Sequence, residues 1–132
     1  MPRQSKRCSN EETIHNMIIS LLVEFYEKLG FEVRADHLGG FRECPDRIGS
    51  YVPDLLVRKG GDIRVIEVET RSTVDTPKTR NELTQFSSAK HKLVLAIPHE
   101  CLEAAIQLRT SLEIDFEILP CYPMVRYVGV AR

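Results

Sequence analysis

The 132-residue chain is 42% hydrophobic and 28% charged, ordinary for a soluble globular protein with one sizeable core, and leaves no need for a second domain. Its net charge of −1 excludes a bulk electrostatic pull toward phosphates, so any nucleic-acid binding must come from local asymmetry. No apolar run approaches the length of a membrane span, and Cys8, Cys44, Cys101 and Cys121 show no zinc-ligand spacing and no secretory signal, so the expectation is a cytoplasmic protein with reduced thiols.

Residues 1–8 are polar and basic and read as a flexible arm. A capping box follows at Ser9-Asn10-Glu11-Glu12. Ile14, Met17, Ile18, Leu21, Leu22, Phe25 and Leu29 then recur at helical spacing until Gly30 stops the helix. That stripe is expected to be core, with Glu12 and His15 on a less apolar side near its start. Residues 31–35 suit a short strand, and 36–50 form a Gly-, Pro- and charge-rich loop in which Arg42 and Arg47 could meet a phosphate backbone.

Residues 51–70, YVPDLLVRKGGDIRVIEVET, are two apolar runs meeting at Gly60-Gly61. A two-residue turn there sets Lys59 opposite Asp62 and, counting outward, Asp54 opposite Glu67, with Glu69 on the same face. Leu55, Val57, Ile66 and Val68 alternate with the acids and fix the register. Like charges facing each other across an antiparallel pair repel, so a fold that keeps these acids together calls for a cation or a proton. Oxygen-only ligands suit Mg²⁺ or Mn²⁺ and phosphodiester chemistry. The plain alternative is a solvated acidic hairpin. A second Pro-Asp, Pro45-Asp46, has no apolar strand after it, which favours Asp54.

Thr76-Pro77 opens a predicted helix running through Ala89, with Leu83 and Phe86 inward and Gln85 on its surface. Residues 92–97, KLVLAI, have the length and apolarity of a central strand buried on both faces. Residues 98–112 read as a helix with Leu102, Ala105, Ile106 and Arg109 on one side, and 114–119 and 124–130 as further strands. Arg71, Lys78, Arg80, Lys90 and Lys92 make the stretch after the acidic motif basic, as phosphate contacts around an acidic centre would require. The order gives an α/β class with a mixed sheet between helices. Walker and dinucleotide loops, a Gly-x-Ser-x-Gly elbow and a His-Glu-x-x-His helix are absent from the sequence.

Pro53-Asp54, the hairpin, Glu67-Val68-Glu69 and the order of elements from about residue 10 to residue 97 resemble the PD-(D/E)XK nuclease superfamily, whose members cleave DNA or, less often, RNA. The resemblance implies a restriction endonuclease-like αβββαβ core with an additional C-terminal helix and strands. It further implies that Asp54, Glu67 and the Val68 backbone carbonyl bind Mg²⁺ or Mn²⁺, that Glu69 holds water or a second metal, and that a homodimer forms if both DNA strands are cut. Glu12 matches the first-helix acid of that superfamily, and Gln85 a helix residue that supports its site. Glu69 stands where the superfamily pattern has lysine, as in some restriction endonucleases that carry Glu or Gln there; Lys78, Lys90 and Lys92 are candidates for a displaced lysine. His91, beside two of these lysines, is a weaker general-base candidate. The competing readings are a catalytically inactive module of the same fold that binds nucleic acid or a protein partner, and an unrelated α/β domain.

Overall fold

Alternating apolar runs around a glycine turn must pair, and the computed structural model, which describes residues 9–36, 43–87 and 91–122, builds its sheet outward from that hairpin. The elements are α1 (Ser9–Lys28), β1 (Glu32–Ala35), β2 (Leu55–Lys59), β3 (Asp62–Val68), α2 (Pro77–Ser87), β4 (Lys92–Pro98), α3 (Leu102–Leu112) and β5 (Glu117–Cys121). The five strands lie in the order β1-β2-β3-β4-β5. β1, β2 and β3 run antiparallel, whereas β4 and β5 add parallel to β3 through α2 and α3, giving a mixed sheet. The expected αβββαβ order is present, with one further helix and strand. Residues 1–8, Arg42, Ala89, Lys90 and the strand expected over 124–130 lie outside the described residues.

The β2–β3 register pairs Lys59 with Asp62 and Leu55 with Ile66, the pairing that Gly60-Gly61 predicts. Gly60 sits at φ 61°, a backbone state that side-chained residues rarely adopt and hairpin turns require. Leu55, Val57, Ile66 and Val68 face α1, where they pack with Ile18, Ile19, Leu22, Val23 and Tyr26. Val65, Leu93, Leu95 and Ile97 face the other way, against Leu83 and Phe86 of α2 and Ala105 and Leu108 of α3. β4 is buried along all but its first residue, as its unbroken apolar run implies.

Two helices present different faces from those expected. The inward face of α1 is His15, Ile18, Ile19, Leu22, Val23 and Tyr26, while Phe25 is 52% and Leu29 47% exposed. The helix is apolar around more than half its girth, so spacing alone leaves two faces open, and the sheet takes the one carrying His15. The segment after β4 begins as a 3-10 turn, His99–Cys101, that buries Cys101, and α3 then buries Ala105 and Leu108; Leu102 and Ile106 are turned outward. Arg109 donates from Nη1 to the Phe116 carbonyl at 2.9 Å. β5 lies later than expected and contains Pro120, whose missing N–H an edge strand tolerates.

Candidate active site

Asp54 immediately precedes β2 and Glu67 sits near the end of β3, so the hairpin register brings them face to face. The contact is direct: the Asp54 N–H donates to Glu67 Oε1 at 3.1 Å, and the Val68 N–H donates to Asp54 Oδ2 at 2.8 Å. Glu69 follows β3, its N–H held by the Ala96 carbonyl at 3.0 Å. These carboxylates do not form a solvated hairpin face. Asp54, Glu67 and Glu69 are all buried, because α2 covers this side of the sheet.

Glu82 of α2 joins them, also buried. One carboxylate oxygen from each of Glu67, Glu69 and Glu82 can be chosen so that all lie within 4.8 Å of one another. Burial, followed by the charges of Asp54, Glu69 and Glu82, pushes the Glu67 carboxyl well above the usual carboxylate range; the bond from the Asp54 N–H only partly opposes this. The sign of the consequence is fixed. Below the ordinary glutamate range, both folded and unfolded states hold the proton; as pH rises, the unfolded chain releases it first, so the metal-free fold loses stability progressively until the raised folded pKa is reached, and the full loss persists above it. Melts in chelator are expected to show wild type losing stability relative to Glu67→Gln across that window, at up to about 1.4 kcal/mol per pH unit.

Lys78, one turn from Glu82, donates from Nζ to Glu82 Oε2 at 2.8 Å and lies over the Tyr51 ring, 5.9 Å from its centroid. Burial works against its charge, but the bond to Glu82 and the charges of Glu82, Glu67 and Glu69 outweigh it and raise the ammonium's pKa. Lys92 is far from the acids: it pairs with Arg64 in the β3–β4 register, three residues back from the Glu67 and Leu95 pair. Lys90 lies outside the described residues.

The acids and Lys78 line a cavity of about 650 Å³ with Glu12, His15, Arg47, Tyr51, Val68 and Thr79. Glu12 is exposed on its wall. Its neighbour Glu11 makes the firm contact, accepting from Thr70 Oγ1 at 2.7 Å and Ser72 Oγ at 2.8 Å, which ties the start of α1 to the segment after β3. Thr76 caps α2 by accepting the Thr79 N–H at 3.1 Å, and Thr79 Oγ1 donates to the Thr73 carbonyl at 2.7 Å. Gln85 supports a wall of the cavity: its Oε1 accepts the Ser50 N–H at 2.7 Å, and a Cβ on Gly49 would collide with its amide. Asp46 of the second Pro-Asp is exposed and 3.7 Å from Arg34, and His91 lies beside Arg34 and Asp46 in a different pocket.

Glu82 and His15 are the site residues that motif spacing missed. Glu82 and His15 nevertheless carry a signal: each lies in line with an apolar helical stripe, Glu82 with Thr79, Leu83 and Phe86, and His15 with Ile18, Ile19 and Leu22. A titratable residue inside such a stripe must be buried or break the packing.

A helix-flanked mixed sheet with an acidic pair at the strand ends beside its first parallel crossover defines the restriction endonuclease-like class within the PD-(D/E)XK superfamily. The sequence model of the REase_AHJR-like family matches residues 7–100, and the chain belongs to that restriction endonuclease-like family. No curated protein and no solved structure matches the chain. The family is nuclease-type and implies nucleic-acid binding. Among the described residues, no helix is long and apolar enough to cross a membrane.

Proposed function

We propose that this protein is a metal-dependent endonuclease that hydrolyses DNA phosphodiester bonds, with Asp54, Glu67 and Glu69 as its acidic centre. The observation that carries the reading is the burial of Glu67, Glu69 and Glu82 around one point with Asp54 bonded to Glu67. Burying like charges is costly unless a cation or protons offset them. The donor set is oxygen only, which fits Mg²⁺ or Mn²⁺ held by Asp54, Glu67 and the Val68 carbonyl, with Glu69 and Glu82 completing the acidic surroundings. When bound, such an ion supplies a Lewis acid for the phosphate and lowers the pKa of the attacking water.

The chain's own residues supply the rest. Glu69 accepts a proton from water or orients it. Lys78 brings a positive charge to the centre although position 69 has none to give, and so takes the part of the missing motif lysine in stabilising charge that develops on the phosphate. Arg47, on the cavity wall, is placed to meet a neighbouring phosphate. Cutting both strands of a duplex calls for two sites, which a twofold homodimer supplies.

The test is cleavage of supercoiled, branched and single-stranded DNA by wild type and Lys78→Met, with Mg²⁺, Mn²⁺ or chelator, beside a gel-shift control. Wild type is expected to cut only with metal, and Lys78→Met to cut about 10²–10³-fold more slowly while still binding DNA. Binding without cutting by wild type would instead make this an inactive module of the same fold, the reading that Glu69 favours.

A further inference from the structure

His15 is 2% exposed, and the reading above gives it no task. It arrives from α1, on the far side of the sheet from α2, and its ring reaches past the end of β2. Nε2 lies 3.5 Å from Oδ2 of Asp54, the same oxygen that accepts the Val68 N–H. On the other edge of the ring, Nδ1 is 3.2 Å from Oδ1 of Asn16; an oxygen there accepts from Nδ1–H, whereas the amide turned over donates from Nδ2 to a bare Nδ1 and leaves the ring proton on Nε2.

Asp54 stands one residue outside β2, so strand pairing does not itself fix how its carboxylate is turned. Oδ2 meets the β3 backbone on one side and α1 on the other, and these contacts hold that oxygen in place. The 3.5 Å separation is at the outer edge of hydrogen bonding, within the looseness that site contacts show before their ligand is present. A leucine in this stripe would fill the core without burying two ring nitrogens; the histidine adds a contact with Asp54.

We propose that His15 is a positioning residue for Asp54: its Nε2–H donates to Oδ2 and holds the carboxylate in the orientation in which it serves the acidic centre. This rests on the metal-nuclease reading of that centre. The residue acts through Asp54 and needs no contact with DNA.

The test compares the full-length wild type, His15→Leu and His15→Gln by calorimetric Mn²⁺ binding and by cleavage kinetics on one DNA. Leucine keeps the bulk and removes the donor; glutamine returns an N–H at similar reach. His15→Leu is expected to weaken Mn²⁺ binding about 10–100-fold and to lower kcat with KM for DNA unchanged, and His15→Gln to stay within about threefold of wild type. Mn²⁺ affinity and kcat in folded His15→Leu equal to wild type would overturn the proposal. A second measurement does not depend on the variants folding: ¹⁵N-resolved NMR of the wild-type imidazole must find a proton on Nε2, and a bare Nε2 also overturns it. Failure of the nuclease reading is separately visible, because wild type then binds no Mn²⁺ and cuts nothing, and the positioning role falls with it.

Discussion

Glu67→Gln is expected to lower metal-dependent cleavage by roughly 10³-fold or more while the protein stays folded and, without metal, becomes more stable. The amide is nearly isosteric and keeps an oxygen to accept the Asp54 N–H, so the hairpin end retains its link. What disappears is a carboxyl whose ionisation is opposed by burial and by the charges of Asp54, Glu69 and Glu82. Losing that group relieves the metal-free protein and removes one of the ligands proposed for the cation. Thermal melts separate the two effects. Wild type at an Mn²⁺ concentration of 100 times its Kd should gain about 2.7 kcal/mol, whereas the variant should begin from a higher melting temperature and gain almost nothing. Wild-type cutting by Glu67→Gln would remove Glu67 from the centre, and a lower melting temperature in chelator would mean that the Asp54 bond outweighs the repulsion.

Phe86→Ala should produce the largest loss of stability, about 3–5 kcal/mol. The ring is fully buried on the inner face of α2, packed with Leu83 and the β4 side chains, and meets the Tyr51 ring edge to face at 6.5 Å. A domain of this size holds on the order of 5–15 kcal/mol in total, so the loss is a large share of it. It also undercuts the site, since the same turn of α2 carries Glu82 and the preceding one Lys78. Urea titration should show the midpoint falling sharply for Phe86→Ala and hardly moving, by about 0.5 kcal/mol or less, for Ile106→Ala on the outward face of α3.

How far the sequence carried the reading depended on how local each determinant was. The pairing of Asp54 with Glu67 follows from the turn at Gly60-Gly61 and a two-residue period, both contained within the hairpin, and it stands in the structure. The buried run of β4 was legible for the same reason. The faces of α1 and α3 were not, because a helix with apolar residues around most of its girth is oriented by what it packs on. Glu82 was invisible as a site residue for a related reason: Lys78 and Glu82 are spaced four apart, the pattern of an ordinary surface ion pair. Only the sheet beneath α2 turns Glu82 inward while Lys78 stays at the rim, its side chain 60% exposed. The burial of the three motif acids was likewise a matter of tertiary cover, not of their own alternation.

The glycine turn lies far from the acids it governs, about 20 Å along the strands at ~3.4 Å per residue. Because Asp54 and Glu67 find each other by counting from that turn, the hairpin behaves as a ruler that reads parity. One residue added to the β3 arm alone would send Glu67 to the α1 side of the sheet, and one added to the β2 arm alone would send Asp54 there, each leaving an aliphatic chain among the carboxylates. One residue added to each arm would lengthen the hairpin and keep the two acids opposed. Length variation in this fold is therefore open at the tip in matched steps and closed to odd ones, although nothing at the tip touches the chemistry.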